Sequence, residues 1–63
     1  MRLVKLTMPQ GLGDIFINPA HVTYIRWRTE RDLSWTEIHF HGNDWTGVTE
    51  SLDVVAPLLS GEH

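Results

Sequence analysis

Apolar and polar residues alternate through most of this chain, and the alternation predicts short strands. In residues 3–8, Val4, Leu6 and Met8 share one face by the two-residue period of a strand, and Pro9 ends the run. Gln10-Gly11-Leu12-Gly13-Asp14 sets two glycines between apolar stretches, which suits a hairpin loop because glycine enters positive φ freely. Ile15, Phe16 and Ile17 form the returning strand. Asn18-Pro19 predicts one tight helical turn, the Asn side chain capping free amides while Pro sets φ. Residues 22–28 are rich in β-branched and aromatic side chains and predict a third strand, followed by a polar turn at 29–32. Residues 35–41 alternate most cleanly, with Thr36, Ile38 and Phe40 on one face and Trp35, Glu37, His39 and His41 on the other. Gly42-Asn43-Asp44 is hairpin-turn chemistry, and residues 45–48 pair back as a fifth strand. Gly47 inside it marks a bulge or a close neighbour.

The period then changes. Ser51 is a helix N-cap residue, Asp53 suits the first turn, and Leu52, Val55, Ala56 and Leu59 share a face. Pro57 conflicts with a helix interior, so the helix is expected to kink there or to begin late enough for Pro57 to fall near its start. The expected fold class is α+β: a small antiparallel sheet of four to five strands with one short C-terminal helix packed on one face. Residues 1–60 form a single domain and residues 61–63 a loose tail, Ser60 also looking loose. The expected core is Val4, Leu6, Ile15, Ile17, Val22, Ile25, Ile38, Phe40, Val48, Leu52, Val55 and Leu59.

The Lys5-Leu6-Thr7 opening, the Gly-rich turn, the Asn18-Pro19 pair after an apolar strand, and Glu50-Ser51 before an apolar helix resemble the FlbD/SwrD family of small flagellar-operon proteins. The resemblance runs over nearly the whole chain. It implies a small non-enzymatic protein, in one branch supporting flagellar motor output, with Asn18, Pro19 and Ser51 setting shape. It carries over no catalytic residue. The chain departs from the family pattern at Trp27, Trp35, Trp45, the His39 and His41 pair, and Pro57.

Composition narrows the function classes. A chain of 63 residues builds one small core, and with no Cys it has neither disulfide staples nor thiolate metal ligands. Self-association is the remaining common remedy for a marginal core. Five basic against eight acidic residues give a net charge of −3, the wrong sign for generic phosphate binding, so nucleic acid is not the expected partner. No apolar run approaches a membrane span and no secretion signal is evident; membrane insertion is not expected, and the reading is cytoplasmic. Gly11 and Gly13 lack the third glycine and the helix of a dinucleotide loop. No nucleophile sits in a catalytic setting, and so short a chain leaves little room for an enclosed pocket. An enzyme, a cofactor and a small-molecule substrate are therefore not expected.

Three Trp in so small a chain are more than its core swallows easily. Trp35 falls on the face away from Ile38, and Trp27 borders Arg26 and Arg28; aromatics beside Arg are the material of binding hot spots. Trp35, Glu37, His39, His41, Trp27, Arg26 and Arg28 are thus the candidate partner-binding residues, the partner being a protein, a second copy of the chain included. The leading expectation is a non-catalytic adaptor or modulator of a larger assembly. One alternative is a phage or mobile-element inhibitor of a host nucleic-acid-binding complex, acting by occlusion or through an acidic strip of Glu30, Asp32, Glu37 and Asp44. Another is a metal-binding module in which Glu37, His39 and His41 act as ligands.

Overall fold

The computed structural model describes residues 2–61. Strand β1 (Val4–Thr7) pairs antiparallel with β2 (Asp14–Ile17), matching Val4 with Ile17 and Leu6 with Ile15. A single 3-10 turn at Pro19–His21 follows, capped as its sequence predicts: the Asn18 side chain accepts a hydrogen bond from the Ala20 amide at 3.0 Å. Strands β3 (Val22–Glu30), β4 (Leu33–Phe40) and β5 (Trp45–Val48) form a second antiparallel sheet with β4 in the centre. Helix α1 (Leu52–Ser60) closes the order.

The class is α+β, but the single sheet of four to five strands is corrected to one sheet of two strands and one of three. The break falls at Asn18-Pro19. Pro19 has no amide to offer a ladder, and the 3-10 turn redirects the chain, so β2 and β3 do not pair. The two sheets meet instead where β1 ends and β5 runs out: the Thr49 amide donates to the Thr7 carbonyl at 2.8 Å. Beside it the Glu50 carboxylate accepts from the Thr7 amide at 3.0 and 3.1 Å and from its hydroxyl at 3.0 Å. The Thr36 hydroxyl donates to the Glu50 carbonyl at 2.7 Å, tying this latch to the central strand.

The core is the one the alternation predicts. Val4, Leu6, Ile17, Ile38, Val48 and Val55 are buried together, with Ile15, Val22, Ile25, Phe40 and Leu59 packed around them and Leu52 half-buried. One feature of β3 makes this possible. Val22 pairs with Phe40 while Tyr24 pairs with His39, so Thr23 is an extra residue, a β-bulge, and its hydroxyl donates to the His39 carbonyl. A regular strand would turn Val22 and Tyr24 to the same side. The bulge sends Val22 inward and Tyr24 outward.

The helix neither starts late nor stops at its proline: Pro57 stands in its interior, costing the hydrogen bond its absent amide would have made to Asp53. Ser51 occupies the N-cap position without a side-chain cap bond; its carbonyl receives the Val54 and Val55 amides, each at 3.0 Å. Ser60 ends the helix, and Gly61, expected in a loose tail, is its C-cap in the left-handed region at φ 84°. The Arg2 guanidinium donates to the Leu58 and Leu59 carbonyls there, satisfying acceptors that a helix end leaves open. Residues 62 and 63 of the expected tail lie outside the described residues.

Candidate functional site

Directly paired residues of an antiparallel sheet point to the same side, so the register of β3, β4 and β5 gives the composition of each face. The inner side carries Ile25, Thr36, Ile38 and Val48 and is covered by the core. The outer side is built in rows across the strands. Tyr24, His39 and Trp45 form one row; Arg26, Glu37 and Gly47 the next; Arg28 and Trp35 a third; Glu30 and Leu33 the last.

In the first row the rings of Tyr24 and His39 stack with centroids 4.2 Å apart and planes at 10°, and His39 and Trp45 lie 6.2 Å apart at 23°. Below them Glu37, although it faces outward, is only 6% exposed. Its Oε1 accepts from His39 Nε2 at 2.6 Å and from Arg26 Nε at 3.0 Å. An ionised carboxylate only accepts, so Nε2 carries the shared proton. The hydrogen bond from His39, then Arg26 by contact and charge, and Arg28 at longer range hold the Glu37 carboxyl below its ordinary range against the opposing effect of burial.

In the third row the Trp35 indole lies over the β5 backbone at Gly47. A Cβ built on Gly47 would stand 3.0 Å from Trp35 Cδ1, so the glycine is there for space, the close neighbour that its place in a strand suggests. Gly47→Ala should push the indole outward, giving a red-shifted tryptophan emission and a stability loss of about 1–2 kcal/mol in a urea melt. An unchanged spectrum and midpoint would show that the ring does not rest on this strand.

Trp35, half-buried, and Trp45 line a groove of about 480 Å³ together with Leu33 and with Met8, Pro9 and Leu12 of the β1–β2 loop. A second depression of about 550 Å³ is lined by residues of β2, the 3-10 turn and the β4–β5 turn, Phe16, His21, Phe40 and His41 among them.

The predicted face therefore assembles in part. Trp35, Glu37, His39, Arg26 and Arg28 come together as their alternation requires. His41 does not join them: β4 ends at Phe40, and His41 lies in the following turn, its amide bonded to the His21 carbonyl. The Glu37, His39 and His41 metal triad is thereby corrected to a Glu37–His39 pair, and among the described residues no three His, Asp or Glu side chains converge as a metal site. Trp27 is also corrected: it pairs with Thr36 and belongs to the inner side, where it remains 43% exposed at the sheet margin. Trp27 and Trp35 therefore face opposite sides of the sheet. The acidic strip does not form, since Glu37 is buried and bonded to Arg26 and His39, while Asp32 and Asp44 sit in turns at opposite ends of β4.

Sequence reasoning missed Tyr24 and Trp45 as members of the face. Counting back from the Gly42-Asn43 turn would have matched Trp45 to His39; the bulge that presents Tyr24 has no comparable signal. No helix among the described residues is long and apolar enough to cross a membrane. No family model, curated protein or solved structure matches the chain.

Proposed function

We propose that the protein is a non-catalytic interaction module, an adaptor or modulator that binds a protein partner through the outer face of β3, β4 and β5. What carries the reading is the content of that face: rings of Tyr24, His39, Trp35 and Trp45 around a hydrogen-bonded Arg26–Glu37–His39 cluster, on the side of the sheet that the helix leaves open. Rigid aromatics beside arginine bury large area at low entropic cost, and the bonds to Glu37 hold the polar members in place before a partner arrives. A structural hydrogen-bond cluster also explains Glu37 and His39 without chemistry.

Self-association fits the same architecture. The second edge of β3 makes no ladder among the described residues, and nine residues of unpaired strand are a ready template for another strand. In this chain two of the motifs in which it resembles the FlbD/SwrD pattern have structural partners, Thr7 with Glu50 and Asn18 with the 3-10 turn. The role in flagellar motor output is a proposal resting on that likeness alone. Trp35→Ala should weaken partner association by at least about 2 kcal/mol, the loss expected of a central aromatic anchor, with the fold retained by circular dichroism. Wild-type affinity in that variant would exclude this face.

A further inference from the structure

Arg26 and Arg28 stand two residues apart on the same side of β3, yet they are held differently. Arg26 is ion-paired with Glu37, whereas Arg28, half-buried opposite Trp35, has no ion pair among the described residues. Glu30, the next carboxylate on that side, does not reach it. Glu37 acts on Arg28 only at longer range, so this half-buried arginine without a direct ion pair keeps donors that an incoming carboxylate would engage.

The groove beside β5 lies on the other side of the Trp35 indole. Its walls are mostly apolar, with Leu12 and Leu33 largely exposed, and it shares Trp35 and Trp45 with the outer face. A chain crossing from the groove to Arg28 passes over Trp35 and spans about two strand spacings, roughly 10 Å. An extended segment covers that distance in about three residues, or in two with the reach of the side chains added.

We infer that the groove and Arg28 form one recognition site for an extended acidic peptide segment, an apolar side chain entering the groove and an Asp or Glu two or three residues away pairing with Arg28. The inference rests on the interaction-module reading and names its partner class. Charge complementarity at Arg28 selects the occupant: a second copy of β3 paired about its own centre would set Arg26 against Arg26 and Arg28 against Tyr24, bringing Arg28 no carboxylate, whereas an acidic segment brings one.

The test is selection of a random displayed dodecapeptide library on the immobilised full chain, followed by titration of the selected peptides into labelled wild type, Arg28→Gln, Arg28→Glu and Trp35→Ala. The expected result is an enriched apolar residue followed at that spacing by Asp or Glu, affinity about tenfold weaker in Arg28→Gln, and Lys or Arg in place of the acid when Arg28→Glu is the bait. Amide shifts on binding should centre on Gly47 and Trp45. Arg28→Gln keeps the sheet pairing and guards against misfolding in the charge reversal. Enrichment without an acid preference, or no enrichment over an unrelated control protein, overturns this inference. If such acid-indifferent peptides still shift Gly47 and Trp45, the interaction-face reading survives. Shifts confined to the outer side of the helix at Val54 and Leu58 overturn both. Binding of a ten-nucleotide oligothymidylate that is lost in Arg28→Gln overturns the peptide assignment in favour of a nucleic-acid strand.

Discussion

Ile38→Ala should leave the chain largely unfolded at 25 °C. Ile38 sits in the middle of the central strand, is completely buried, and belongs to the cluster formed by both sheets and the helix. Removing a buried side chain of this size costs about 2–5 kcal/mol, the spread reflecting how far neighbours collapse into the hole. A domain this small holds only about 3–5 kcal/mol in all. One substitution therefore removes most of the margin. Far-ultraviolet circular dichroism and a urea melt check it: the expected trace begins within or beyond the unfolding transition. A midpoint close to wild type would show that the two sheets and the helix do not share one core.

Glu50→Ala should be the next most damaging change, at about 2–3 kcal/mol. Its carboxylate accepts the Thr7 amide and hydroxyl where the two sheets meet, and hydrogen bonds to a charged acceptor contribute about 1.5–3 kcal/mol each. The Thr49-to-Thr7 backbone bond and the Thr36 bond to the residue 50 carbonyl would remain beside it. Acid should act at the same place. Burial pushes the Glu50 carboxyl up, but the bonds from Thr7, joined by its own amide and the Thr49 hydroxyl, outweigh it and leave the group below its ordinary range. Glu37 is lowered as well. A carboxyl whose folded value lies below its unfolded value stabilises fully above the unfolded value and loses that contribution as pH falls through the folded one. Urea midpoints should accordingly decline from roughly pH 5 downward, and more shallowly in Glu50→Gln. An identical decline in that variant would mean that Glu50 is not part of the latch.

Much of this fold is legible from local pattern. The burial of Val4, Leu6 and Ile17, and of Ile38 with Val48, follows from alternation, because a strand with one covered face has no freedom to place its apolar side chains elsewhere. Asn18-Pro19 reads as a cap and turn for the same reason: the chemistry is local. What escapes the pattern is nonlocal. The Thr7–Glu50 latch joins residues 43 positions apart, and Arg2 meets the helix end across 56 and 57 positions. The Thr23 bulge changes a face by one inserted residue, and alternation cannot report an insertion. His41 lies apart from the outer face because β4 stops one residue earlier than its pattern, and Trp27 because its arginine neighbours face the opposite way. Gly47 was the informative oddity, a small residue in a strand that marked where an indole lies.

The outer face as the partner surface is most directly tested by site-specific photo-crosslinking in cells that make the protein. A photoreactive residue replaces Trp45 in one variant and Val54, exposed on the helix, in another. The account predicts a discrete partner adduct from position 45 that disappears when Trp35→Ala is added, and none from position 54. An adduct from position 54 alone, or one at 45 indifferent to Trp35, would contradict it.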